Sequence, residues 1–150
     1  MRVRVATVND IETLVDFGKR LTLESPKFSK HGFDVANASE FFLQVIEKLS
    51  SIFLVLDEYD NPIGGVICLI SKEWSTGQKV AYEQALYVLP EYRSTGAGRY
   101  LVQAFREWAE QAGADRIQIG TMTGIHVDKT VQLYESLGFE LAGYTLEREV

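Results

Sequence analysis

The sequence predicts a mixed α/β (α+β) fold, a sheet with helices layered against it. Apolar strand-like runs and segments of helical spacing follow one another along the whole chain. Strand-like runs fall in succession between Ile52 and Val88. Another follows the best helical pattern, so a strand–helix–strand unit completes the core of the arrangement.

Arg2 to Ala6 alternates charged and apolar residues, as a half-buried strand does. Thr7 to Asp10 supplies helix-start residues, and Ile11, Leu14, Val15, Phe17, Gly18 and Leu21 keep helical spacing until Ser25-Pro26. Lys27 to Asn37 has no clear period. Ser39 to Leu49 reads as an amphipathic helix with Phe42, Val45, Ile46 and Leu49 on one face. Ile52–Leu56 and Ile63–Ile70 read as a hairpin around the turn residues Asp57 to Pro62. Ser71 to Gln78 is a loop, and Lys79 to Val88 a strand. Gly96 to Ala112 is the clearest helix, with Leu101, Ala104, Phe105, Trp108 and Ala112 on one face and Gly113 as its stop. Ile117–Ile119 lies in a short strand that should run parallel to Lys79–Val88 through a right-handed crossover. Asp128 to Leu137 is a helix ended by Gly138, and Phe139 to Val150 alternates as a pair of terminal strands would. With no repeat, low-complexity tract or linker, one domain over residues 1–150 is expected.

Hydrophobic residues make up 46% and charged residues 24%, an ordinary globular composition. With 21 acidic and 15 basic residues the formal net charge is −6, which argues against nucleic acid as the main partner. Cys68 is the only cysteine, so no intrachain disulfide forms. No apolar stretch approaches the roughly 20 residues needed to span a bilayer, and Met1 to Val5 has no signal-peptide character. A cytoplasmic protein without a membrane partner is expected.

The stretch "VLPEYRSTGAGRYL", Val88 to Leu101, sets two glycines between a strand and a helix. A helix N-terminus offers unpaired N–H groups and partial positive charge, and glycine lets backbone approach a bulky anion. Arg93-x-x-Gly96-x-Gly98 therefore has the form of a phosphate cradle, to which Arg93 and Arg99 would add charge. A plain strand-to-helix turn has the same spacing. The P-loop is excluded because Arg99-Tyr100 follows Gly98, and the dinucleotide fingerprint because Leu101 stands where a third glycine is required.

"LYVLPEYRSTGAGRYLV", Leu86 to Val102, resembles the acetyl-coenzyme A signature of the GNAT superfamily of N-acetyltransferases. "LYESLGFELAGY", Leu133 to Tyr144, resembles the family's Leu-Tyr-x-x-x-Gly-Phe segment beside the thioester. The resemblance implies a GNAT-like, mostly antiparallel twisted sheet with a central parallel strand pair and helices on both faces. It implies acetyl-CoA as co-substrate, with the amides of Ser94, Thr95, Gly96, Ala97, Gly98 and Arg99 on its pyrophosphate. It implies a strand around Val88 that splays from its neighbour near Ile119 and pairs with the pantetheine arm, the Val88 N–H serving as oxyanion donor. Tyr134 becomes the general acid for the departing thiolate, a phenol being able to donate that proton; on an amphipathic helix it would otherwise be a packing residue. The product is N-acetylation of a small-molecule or peptide amine by direct transfer, with no metal; a non-catalytic acyl-CoA-binding module on the same fold is the alternative.

The general base is open. Glu83 is the only carboxylate on the Tyr82–Val88 strand, but it stands an odd number of residues from Val88 and faces the other side of a regular strand unless a bulge intervenes. His126, His31 or water are the other options. The chain departs from the family pattern where Val127 and Thr130 replace a common asparagine and alanine, and "GTMTGIHV", Gly120 to Val127, is unusually shaped. Leu23–Asn37, Ser71–Gln78 and Gly120–Val127 are candidate acceptor walls. Phe28, Phe33 and Trp74 are aromatic candidates for that pocket or for burial under loops. Glu24, Asp34 and Glu73 are candidates for attracting a cationic polyamine, aminoglycoside or lysine-like acceptor. A homodimer through the C-terminal strands is a further option.

Overall fold

A capping box starts the first helix. In the computed structural model, which describes residues 1–48 and 50–150, β1 (Arg2–Val5) leads into it. Thr7 Oγ1 accepts from the Asn9 amide and Asp10 Oδ2 from the Thr7 amide at 2.8 Å. Arg4 grips both Asp10 oxygens, at 2.8 and 2.9 Å, and holds its carboxyl below the ordinary range. α1 (Ile11–Glu24) then runs to Ser25, extended at ψ 121° before Pro26.

α2 (Val35–Glu47) begins earlier than the expected Ser39, because Asp34 caps it by accepting from the Asn37 amide at 2.9 Å. Its first residues are exposed, so they carry no apolar period to read. Leu49, expected on its apolar face, lies outside the described residues. β2 (Ser51–Leu56) and β3 (Pro62–Lys72) form the expected hairpin; Asp57 Oδ1 accepts from the Tyr59 and Asn61 amides and closes the turn. β4 (Lys79–Val88), α3 (Ala97–Gln111), β5 (Arg116–Gln118) and α4 (Val127–Ser136) follow within a residue or so of expectation.

The five strands pair in the order β1-β2-β3-β4-β5, all antiparallel except β4 with β5. Strand alternation splits the core into two layers. Ile52, Leu54 and Leu56 of β2 pack with Leu14, Phe17, Phe42 and Val45 of α1 and α2. Val55 turns to the other face with Leu101, Phe105 and Ala109 of α3, all fully buried. A buried Leu or Phe contributes about 1.5–3 kcal/mol, so α3 is held chiefly by this stripe.

Phe139–Val150, expected as terminal strands, forms none. Alternation specifies a strand only where one face is buried, and Leu141, Tyr144 and Leu146 are exposed. The segment's side-chain contacts, Glu147 with Lys27 and Glu149 with His31, are exposed too. Among the described residues, no helix is long and apolar enough to cross a membrane, and no cluster of metal-ligating side chains is present.

Candidate active site

β4 and β5 share only a short parallel ladder, Val80 with Arg116 to Tyr82 with Gln118. β5 ends there, while β4 continues to Val88. The strands therefore make a fork whose vertex lies at Tyr82 and Gln118.

Glu83 occupies that vertex. Its Oε1 accepts from the Gly120 amide at 2.8 Å, across the fork. Burial pushes its carboxyl up to about 7, the Gly120 bond pulling the other way. The strand-phase objection to Glu83 is resolved by a bulge. Opposite β3, Ile67 pairs with Ala85 but Cys68 pairs with Glu83, so Gln84 is skipped. Ala81 and Val88, an odd number apart, consequently pack on the same α3-facing layer, and Glu83, two residues from Ala81, joins that side.

Tyr134 of α4 is close enough to feel the Glu83 charge. It is 7% exposed, with its ring 6.4 Å from that of Phe139. Burial and, second, the Glu83 charge raise its phenol further above its ordinary value, so it stays protonated at neutral pH. The Leu-Tyr-x-x-x-Gly-Phe spacing works locally: Gly138, at φ 93°, lets the chain turn back so that Phe139 meets Tyr134.

The Arg93–Arg99 segment caps the opposite end of the fork. Ser94 and Gly96 take left-handed conformations, φ 73° and 93°. The Tyr100 amide donates to the Gly96 carbonyl at 3.1 Å, the first turn of α3, and the amides of Ala97, Gly98 and Arg99 before it lack intrahelical acceptors, whereas the Thr95 amide donates to the Tyr92 carbonyl at 3.4 Å. Space around Gly96 is open: a Cβ there would meet nothing within 4 Å, so its φ is what requires glycine. At Gly98 a Cβ would make ordinary contact with α4, 3.4 Å from Leu133 Cδ2. Arg99 is exposed, with Nη2 3.4 Å from Ser136 Oγ.

Arg93, expected to add charge to the cradle, is already bonded elsewhere in the fold. Nη1 and Nη2 pair with Glu24 Oε2 and Oε1 at 2.9 and 3.0 Å, and Nε donates to the Val88 carbonyl at 3.0 Å. It also lies 5.5 Å from the centre of the Tyr87 ring, and the Tyr87 hydroxyl donates to Glu24 Oε1 at 2.6 Å. Burial raises the Glu24 carboxyl, but the bonds from Arg93 and Tyr87 outweigh it and hold it below its ordinary value.

Two of the expected acceptor walls meet. Ser25, fully buried, donates through Oγ to the Thr123 carbonyl, and Gly124 sits against Pro26. His126 caps α4 in a left-handed conformation, φ 44°, and its carbonyl accepts from the Thr130 amide and hydroxyl. Thr130 thus closes the first turn of α4. The third wall, Ser71–Gln78, lies at the far end of β4 from Val88; Trp74 there is 96% exposed, and Glu73 pairs with Arg116. Phe33 packs against Gly18 in the α1 layer, Phe28 is half-buried, and Asp34 is spent on its cap. His31 bonds Glu149 at 2.6 Å. Glu24, Ser25 and Tyr87 carry long-range contacts that no local spacing announces.

The acetyltransferase (GNAT) family model matches residues 19–139, and the chain belongs to that family of acyltransferase enzymes. The chain is 26% identical over 140 residues to an uncharacterized N-acetyltransferase, YhfO, of Bacillus subtilis strain 168, covering 93% of this chain and 90% of that protein. In fold it is similar to an acetyltransferase of Trypanosoma brucei, with a TM-score of 0.76 at 16% identity over 99% of each chain. It is likewise similar to AAC(6')-Iy bound to the bisubstrate analog CoA-S-monomethyl-acetylneamine, with a TM-score of 0.76 at 18% identity over 99% of this chain and 97% of that one.

Proposed function

We propose that the protein transfers an acetyl group from acetyl-CoA directly to a primary amine of a small molecule or peptide. The observation that carries this reading is the fork itself: a backbone turn with the form of a cradle at one end, and Glu83 at its vertex within electrostatic reach of Tyr134. The open, glycine-shaped turn ahead of α3 fits a diphosphate. The CoA analog bound by the similar AAC(6')-Iy supports the same choice of donor and a small amine acceptor.

Acetyl-CoA supplies an activated thioester carbonyl. The amides of Ser94 to Arg99 hold the diphosphate, and the free edge of β4 near Val88 takes the pantetheine arm as an added strand would. The Val88 amide stabilises charge on the carbonyl oxygen. Glu83, with a carboxyl near 7, takes the proton from the attacking amine, directly or through one water. Tyr134, held protonated, donates to the leaving thiolate. Holding both substrates in one fork adds the gain from proximity.

A non-catalytic acyl-CoA-binding module is the competing reading, favoured by the packing of Tyr134 to 7% exposure. Thiol release from acetyl-CoA with a panel of amines separates the two. Transfer is expected with at least one amine and should fall sharply in Tyr134→Phe. CoA binding without turnover on any amine, and no effect of Tyr134→Phe, would favour the module.

A further inference from the structure

We propose that Glu24 is a positioning residue for the diphosphate cradle, acting through Arg93, whose guanidinium is a strut and not a phosphate contact. This role rests on the CoA-binding reading above.

Each of the three guanidinium nitrogens of Arg93 already has an acceptor, two on Glu24 and one on the Val88 carbonyl. The side chain therefore bends back along the chain and closes the segment from Val88 to Arg93. Ser94 follows at once with φ 73°. A non-glycine residue keeps such a conformation only where its surroundings over-determine it. On one side that constraint is the start of α3; on the other it is Arg93. Glu24 fixes Arg93, and the Tyr87 hydroxyl fixes Glu24. The directions of the amides after Arg93 are thus set before a ligand arrives, which lowers the ordering cost of binding. The anchor itself is firm, because Ser25 beside it is fully buried and bonded to Thr123. Arg99 differs: it is exposed, its contact is one distant hydroxyl, and its charge is available to the cradle.

The sign of one substitution separates strut from charge. Glu24→Gln removes an anion near a polyanionic ligand and leaves the Arg93 charge uncompensated. Coulomb's law alone then makes CoA bind more tightly; a lost strut makes it bind more weakly.

Calorimetric titration with coenzyme A, at low and high salt, reads that sign. Glu24→Gln is expected to bind about 10-fold more weakly than the wild type, with a salt dependence no shallower than that of the wild type, whereas Arg99→Met flattens the salt dependence. Amide NMR spectra of ligand-free Glu24→Gln should shift at Ser94–Gly98 and not at Leu14–Phe17, a pattern that general destabilisation does not give. Equal or tighter CoA binding by Glu24→Gln overturns the proposal. If that variant does not fold, Tyr87→Phe, which removes only the hydroxyl bond, decides in its place: weaker binding supports the strut, and unchanged affinity overturns it. A wild type that does not bind CoA overturns the CoA reading and the strut with it, an outcome distinct from the loss of the strut alone.

Discussion

Within one fork, the proposed cradle side is made of backbone and the proposed reacting side of side chains. Ser94 to Arg99 presents amides whose directions follow from two left-handed residues and a helix start. Glu83 and Tyr134, by contrast, are side chains of β4 and α4, and each depends on a local packing detail: the skipped residue Gln84 and the ring of Phe139. The difference teaches that the two halves should fail differently. Changes to the cradle should strike affinity, and changes at Glu83 or Tyr134 should strike the rate at saturating substrate.

Tyr134→Phe is the sharpest probe of the reacting side. It is expected to lower kcat by about 10²–10⁴-fold, with CoA affinity nearly unchanged in a binding titration. Gly96→Val probes the cradle. The left-handed φ of 93° forbids a branched side chain although space is open, and CoA affinity should fall by about 100-fold or more. Equal damage to kcat and affinity in both variants would erase the division of labour.

Glu83→Gln should lower kcat less severely than loss of Tyr134 and should change the shape of the pH profile. If Glu83 is the base, as proposed, its unprotonated carboxylate is the form that takes a proton, so the wild-type rate should rise with pH through about 7. That limb should vanish in Glu83→Gln; a limb that survives would move the base to His126 or water. Trp74→Ser should have the smallest effect. Trp74 stands exposed at the far end of β4, and neither kcat nor affinity should change in steady-state assays.

The same division explains what the sequence discloses. The proposed cradle is legible because a backbone site needs glycine and a helix start at adjacent positions, and Arg93-x-x-Gly96-x-Gly98 states both. The strands and helices up to α4 are legible for a similar reason, since burial of one face imprints a period. The reacting side is less so. The phase of Glu83 depends on the bulge at Gln84, which leaves no mark on β4 composition. The engagement of Arg93 depends on Glu24, 69 residues away in the chain. The early start of α2 hides in an exposed first turn, and the alternation of Phe139–Val150 has no buried face to act on.

A crystal structure of the protein with coenzyme A tests the backbone cradle most directly. The diphosphate oxygens should lie about 2.7–3.2 Å from amide nitrogens between Ser94 and Arg99, with the pantetheine arm along the free edge of β4. A diphosphate held by side chains elsewhere, with those amides left without a ligand, would contradict it.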